Sequence, residues 1–116
     1  MDLPQVLSIQ GARLADEPAA GGVQLPRACS EWRLDADAAG RFFALATEYP
    51  QMPTQGFYQL PCSIEGVVQA DGKRWDFSIN AAGTAVWKSG DVTRYFGCST
   101  AACAPLVLLM PDNGEP

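Results

Sequence analysis

The stretch Lys73–Asp91, KRWDFSINAAGTAVWKSGD, decides the fold. Trp75, Phe77 and Ile79 alternate with Arg74, Asp76, Ser78 and Asn80, the period of two that marks a strand with one dry and one wet face. Just before it, Asp71-Gly72 is the dipeptide favoured in a two-residue type I′ turn. With that turn, Ala70 faces Lys73, Val68 faces Trp75, Gly66 faces Phe77 and Ile64 faces Ile79. Each apolar residue then meets an apolar partner or a glycine that an aromatic ring can cover. Ser63, Glu65, Gln69, Arg74, Asp76, Ser78 and Asn80 gather on the other face, as in an antiparallel sheet wetted on one side.

For the following turn, a two-residue loop at Ala82-Gly83 would set Trp87 opposite Ser78 and Lys88 opposite Phe77, mixing the faces. A three-residue loop Ala81-Ala82-Gly83 pairs Phe77 with Trp87 and Asp76 with Lys88, and places Gly83 where a left-handed conformation is needed. The three-residue loop is therefore predicted. At Ser89-Gly90-Asp91, two- and three-residue loops exchange the faces of Thr93 and Tyr95 with those of Arg94 and Phe96, and the sequence leaves both open.

Outside this meander the signals are more local. Val6–Leu14 reads as a first strand, 15–27 as a loop rich in Gly and Pro, and Cys29–Leu34 as a short strand. Phe42, Leu45, Ala46 and Tyr49 then fall at i, i+3, i+4 and i+7, predicting a helix over 36–48. Asp35 is its N-cap, Asp37 lies in the first turn, and Pro50 is its stop. Gly40 inside it costs about 1 kcal/mol against Ala, so the helix needs tertiary packing. Residues 50–61 read as an irregular crossover, VTRYFG as another strand, and LVLLM, between Pro105 and Pro111, as a last strand. The fold class is α+β: an antiparallel β-meander of four to six strands with one helix packed on its dry face, a single domain over 1–116.

The 116 residues are 47% hydrophobic and 18% charged, an ordinary globular composition. Net charge is −5, and the eight Lys and Arg never cluster, so the footprint of a nucleic-acid binder is missing and a basic partner suits better. Asp2, Pro4 and the lack of an early Lys or Arg are unlike a signal peptide, and no apolar run approaches a membrane span of about 18 residues. A cytoplasmic protein without membrane contact follows, or a periplasmic or exported one if a signal peptide has been removed.

Four cysteines invite two readings. A zinc site would want two closely spaced pairs or histidine partners, and the chain has no histidine. Cys98 and Cys103, in CSTAAC, are suitably placed for a disulfide, and a Cys29 to Cys62 bridge would tie the segment before the helix to the meander. Reduced thiols are expected in the cytosol and disulfides after export.

Enzymatic chemistry is weakly provided for. A Ser or Cys nucleophile would depend on Lys73, Lys88 or a carboxylate as base, and both lysines stand near exposed turns. Glu65 and Asp76 could form a diagonal carboxylate pair of the glycosidase kind, but on an open sheet such residues are more often solvating charges with Arg74 and Lys88 as counterions. Gly21-Gly22 is followed by VQLP, which opens no helix and so makes no phosphate loop. A non-enzyme without cofactor or metal is expected. Val67 and Val86 fall on the wet face among Glu65, Asp76, Ser78 and Lys88, and apolar spots grouped among charges suit a protein-docking surface.

The run GKRWDFSINAAGTAVW (Gly72–Trp87), followed by FGC (Phe96–Cys98), the second cysteine Cys103 and LVLLMPD (Leu106–Asp112), resembles the core of small bacterial immunity-type proteins paired with secreted toxins. The resemblance covers about Cys62 to Asp112 and implies a protein that neutralises a cognate toxin or effector by binding it, and the net charge of −5 suits a basic one. A small exported ligand-binding or envelope protein, using a cavity between helix and sheet, is the alternative; a minor hydrolase is a third.

Overall fold

The computed structural model describes residues 4–11, 13–14, 31–51 and 62–108. In chain order the elements are β1 (Gln5–Ile9), β2 (Arg13–Leu14), α1 (Ala36–Leu45), β3 (Thr47–Tyr49), β4 (Cys62–Ala70), β5 (Lys73–Asn80), β6 (Thr84–Ser89), β7 (Val92–Gly97) and a 3₁₀ helix, Ala101–Leu106. The strands form one antiparallel sheet ordered β1-β4-β5-β6-β7-β3, with β2 pairing β4 beyond the end of β1. This is an α+β architecture, a central meander flanked by β1 and β2 on one edge and by β3 on the other.

The meander has the predicted register. Asp71 and Gly72 both take positive φ, 54° and 74°, as a type I′ turn demands, and Ala70 pairs Lys73 through to Ser63 with Asn80. Phe77 pairs Trp87 and Asp76 pairs Lys88 across the Ala81-Ala82-Gly83 loop, with Gly83 at φ 98°. Asn80 fastens that loop: its carbonyl accepts from Gly83 N at 3.0 Å and its Oδ1 from Ala82 N at 2.9 Å. The turn left open by the sequence is a two-residue one, Gly90-Asp91, with Gly90 at φ 60° and Ser89 paired to Val92. It sets Trp87 against Arg94, Ala85 against Phe96 and Val86 against Tyr95, so Arg94 and Phe96 share the dry face and Tyr95 lies on the wet one.

The dry face is the core. Ile64, Val68, Trp75, Phe77, Ile79, Ala85, Trp87 and Phe96 are buried there. Gly66 is required in this layer: a Cβ would stand 2.7 Å from Phe77 Cζ and collide with the Ser8 carbonyl oxygen. Helix α1 covers the face through Phe43, whose ring makes edge contacts with Phe77 at 5.1 Å and Trp87 at 5.2 Å. Asp35 caps the helix as predicted, Oδ1 accepting from Ala38 N at 2.8 Å.

Several expectations are corrected. The helix ends at Leu45, not at residue 48: Ala46 turns extended and its N–H closes on the Phe42 carbonyl, while Thr47–Tyr49 pairs with the free edge of β7. The gain of a ladder for β-branched and aromatic residues overrides the helical period there. The buried helix face is Ala38, Ala39, Phe42 and Phe43, not the stripe through Leu45 and Tyr49; Leu45 is 37% exposed. The larger Phe43 side chain wins the inward position. Residues 32–35 form no strand, although Trp32 and Leu34 are both buried; their alternation comes from an irregular segment that leads into the N-cap. The first strand is shorter than Val6–Leu14, and a bulge at Leu7 interrupts its pairing with β4. The last strand is replaced by the 3₁₀ helix and a bend at 107–108; Pro105 lies inside that helix and offers no N–H for a ladder. Leu109 and Met110, the 15–27 loop, most of the 50–61 crossover and Cys29 lie outside the described residues.

Candidate functional site

All six residues picked out on the wet face converge. Glu65, Val67, Asp76, Ser78, Val86 and Lys88 line one shallow concavity of about 460 Å³, joined by Gln10 and by Gly66 and Phe77 in its floor. The register explains the grouping. Val67, Asp76 and Lys88 are direct cross-strand neighbours in one row, and Glu65, Ser78 and Val86 form the next. Each row carries one valine and one carboxylate, so the apolar and acidic groups lie diagonally across the site. Direct neighbours on a sheet stand about 5 Å apart and diagonal ones about 7–8 Å. Asp76 and Lys88 are exposed, while Glu65, Val67, Ser78 and Val86 are half-buried.

Strand β1 forms one wall. The bulge sets both Leu7 and Ser8 against Val67, and Gln10 N donates to the Glu65 carbonyl at 2.8 Å, which fastens Gln10 beside the opening. Leu7 is 40% exposed. On the far side the second row continues from Val86 to Tyr95 and on to Tyr49, both half-buried. The sequence did not assign Tyr49 and Gln10 to this face, because their places depend on pairings with strands distant in the chain. Tyr95 depended on a turn of undecided length.

Asp76 stands opposite Lys88 in an open row, the setting of a solvated charge pair. Glu65 and Asp76 are diagonal, as the sequence implied, on a face open to water. Beneath Phe43 the space between helix and sheet is filled by its ring and its neighbours Phe77, Trp87 and Phe96, while between the helix and β1 a concavity of about 550 Å³ remains, lined by Pro4, Val6, Ala36, Gly40 and Arg41.

A network of charged side chains lies elsewhere, at the Arg94 end of the dry face. The Arg94 guanidinium sits 5.3 Å from the Trp75 ring, 5.1 Å from Trp87 and 5.5 Å from Phe96. It donates through Nη2 to Glu48 Oε1 at 2.6 Å, through Nε to Glu48 Oε2 at 2.9 Å, and through Nη1 to Asp71 Oδ2 at 3.1 Å. The hydrogen bonds from Arg94, with its charge behind them, hold the Glu48 carboxyl below its usual range, against partial burial that pushes it up. The same bond to Glu48 raises Arg94. Arg94 thus closes the open end of the aromatic core and ties β7 to β3 and to the β4–β5 turn.

Among the described residues no cysteine is free: Cys98 is joined to Cys103, and Cys62 is disulfide-bonded. No helix among the described residues is long and apolar enough to cross a membrane. Fold and site define an α+β protein whose described residues place helix α1 on one face of an antiparallel sheet and a concavity of mixed apolar and charged lining on the opposite face. Comparison with protein families, with curated proteins and with solved structures finds no match.

Proposed function

We propose that the protein is an immunity-type inhibitor that neutralises a cognate basic toxin or effector by docking the wet face of its sheet onto it. The observation that carries this reading is the convergence of Val67 and Val86 with Glu65, Asp76, Ser78 and Lys88 in one shallow concavity. Valines flanked by charges on rigid, paired strands supply a small desolvated centre with a charged surround. The net charge of −5 favours encounter with a basic surface. Binding without turnover is preferred because the carboxylates lie open to water beside Lys88 rather than in an enclosed site. The exported ligand-binding alternative meets aromatic rings where the helix crosses the centre of the sheet, and keeps a concavity of about 550 Å³ between the helix and β1, lined by Pro4, Val6, Ala36, Gly40 and Arg41.

The two kinds of residue have separable roles. Glu65→Lys or Asp76→Lys slows association and flattens its dependence on salt, whereas Val67→Asp or Val86→Asp raises the dissociation rate about tenfold or more with the fold intact. The test is a pull-down with the product of the neighbouring gene, then binding kinetics on the four variants. A partner that binds all four as it binds the parent protein removes the wet face from the interface. Purified protein that retains a small ligand and binds no such product overturns the inhibitor reading itself.

A further inference from the structure

We propose that the segment 98–108 closes onto the core only after Cys98 and Cys103 are oxidised, so that the native fold is completed where a disulfide donor is present and the bridge is thereafter shielded. This condition on folding holds whichever face meets the partner.

Besides the bridge, the segment is held by a few long-range hydrogen bonds and by the burial of Leu106 and Val107. After β7 the chain makes one further ladder-like bond, Cys98 N to the Gly83 carbonyl at 2.9 Å, then enters a six-residue 3₁₀ helix with Pro105 inside it. A 3₁₀ turn of this length has poor hydrogen-bond geometry and no cooperative stability of its own. Two long-range bonds anchor its far end: Trp32 Nε1 donates to the Leu106 carbonyl at 3.0 Å, and Leu108 N donates to the Ala81 carbonyl at 2.8 Å. The bridge, with Cα atoms 6.3 Å apart, fixes the turn in the conformation that lets Leu106 and Val107 enter the core.

Both bridged residues are fully buried, at 0% exposure, under the turn they close. Thiol–disulfide exchange needs a thiolate or a donor disulfide to approach one of these sulfurs directly. That access exists while the segment is open and is lost when it docks. The chemistry balances as an ordinary exchange. Two cysteine thiols give up two protons and two electrons, the S–S bond forms, and the donor's disulfide is reduced to two thiols. The bonded state of Cys62 points to the same setting, an oxidising compartment, because such bridges persist there and are rare where glutathione keeps thiols reduced.

The experiment compares full-length oxidised protein with the double variant Cys98→Ala/Cys103→Ala, which leaves Cys62 untouched. The readouts are hydrogen exchange at the Leu108 amide and the Trp32 indole N–H, and the survival of the native bridge in millimolar reduced glutathione. A disulfide-closed CSTAAC peptide serves as the unshielded control. The double variant is expected to exchange both hydrogens about tenfold to hundredfold faster, and the native bridge to outlast the peptide's by a similar factor. If the variant does not fold at all, oxidised glutathione added to reduced, unfolded parent protein must restore protection at both positions. Protection in the double variant within about twofold of the parent overturns the proposal. So does reduction of the native bridge as fast as that of the peptide.

Discussion

Phe43 and Leu45 are two residues apart in one helix, yet their expected contributions differ by several kcal/mol. Phe43 is 6% exposed and meets three aromatic rings of the sheet, whereas Leu45 is 37% exposed at the last turn. Phe43→Ala should cost about 3–5 kcal/mol, the range for a buried aromatic, and Leu45→Ala no more than about 0.5 kcal/mol. Urea titration of the two variants checks the pair, and equal costs would put the helix rotation in error. Gly66→Ala is expected to be severe for so small a change. Its Cβ has the Phe77 ring on one side and the Ser8 backbone on the other, so β1 must shift from β4. A loss of about 1–3 kcal/mol is expected, read from the same titrations. Phe42 was legible from helical spacing and Gly66 from its place opposite an aromatic. Phe43 was not, because helical spacing does not decide how the helix is rotated about its axis.

Among the elements, β7 and β3 are joined, besides their short ladder, by an ion pair that the sequence did not reveal. Arg94 reaches the dry face only because the Gly90-Asp91 turn has two residues; a third would have sent it to the wet side. Glu48 reaches it only because the chain leaves the helix three residues early. Neither event has a strong local signature. Because the folded carboxyl of Glu48 is held below its unfolded value, its contribution is fully present above the unfolded value, about 4.3, and is lost as pH falls through the folded one. Glu48→Gln should therefore cost about 0.5–1 kcal/mol at pH 7, a modest figure because the Glu48 side chain is 45% exposed. The gap between variant and parent should close as pH drops from about 5 to below 4. Thermal unfolding of both proteins across that range checks it, and a gap that persists at pH 3 would assign the effect to packing. Arg94→Lys keeps the charge but loses the fork and the flat contact with Trp75 and Trp87, and is expected to cost more than Glu48→Gln.

Across the whole molecule, what could be read from the sequence and what could not follow one physical division. Strands β4 to β7 are joined by turns of two or three residues, and Asp71-Gly72, Gly83 and Gly90 supply the positive φ each turn needs. Across the first two of these turns the register is local chemistry and was legible, whereas at Ser89-Gly90-Asp91 both loop lengths suit the sequence, which leaves the register open. The edges depend on long-range closure: β1 pairs β4 about 60 residues later, and β3 pairs β7 across the whole meander. The same division predicts the order of folding. Short loops cost little entropy to close, so the meander can form before its edges, whereas β1 and β3 lose the entropy of long loops for a few ladder bonds each. Destabilising changes inside the meander, such as Ile79→Val or Trp87→Phe, should slow folding with φ-values of about 0.5 or more. Val6→Ala, on β1 opposite Val68, should leave the folding rate nearly unchanged and speed unfolding instead, with a φ-value of about 0.2 or less. Stopped-flow chevrons on the three variants measure this directly. A high φ-value at Val6 with low values in the meander would mean that the β1–β4 contact nucleates the sheet, and that the turns are consequences of the register rather than its cause.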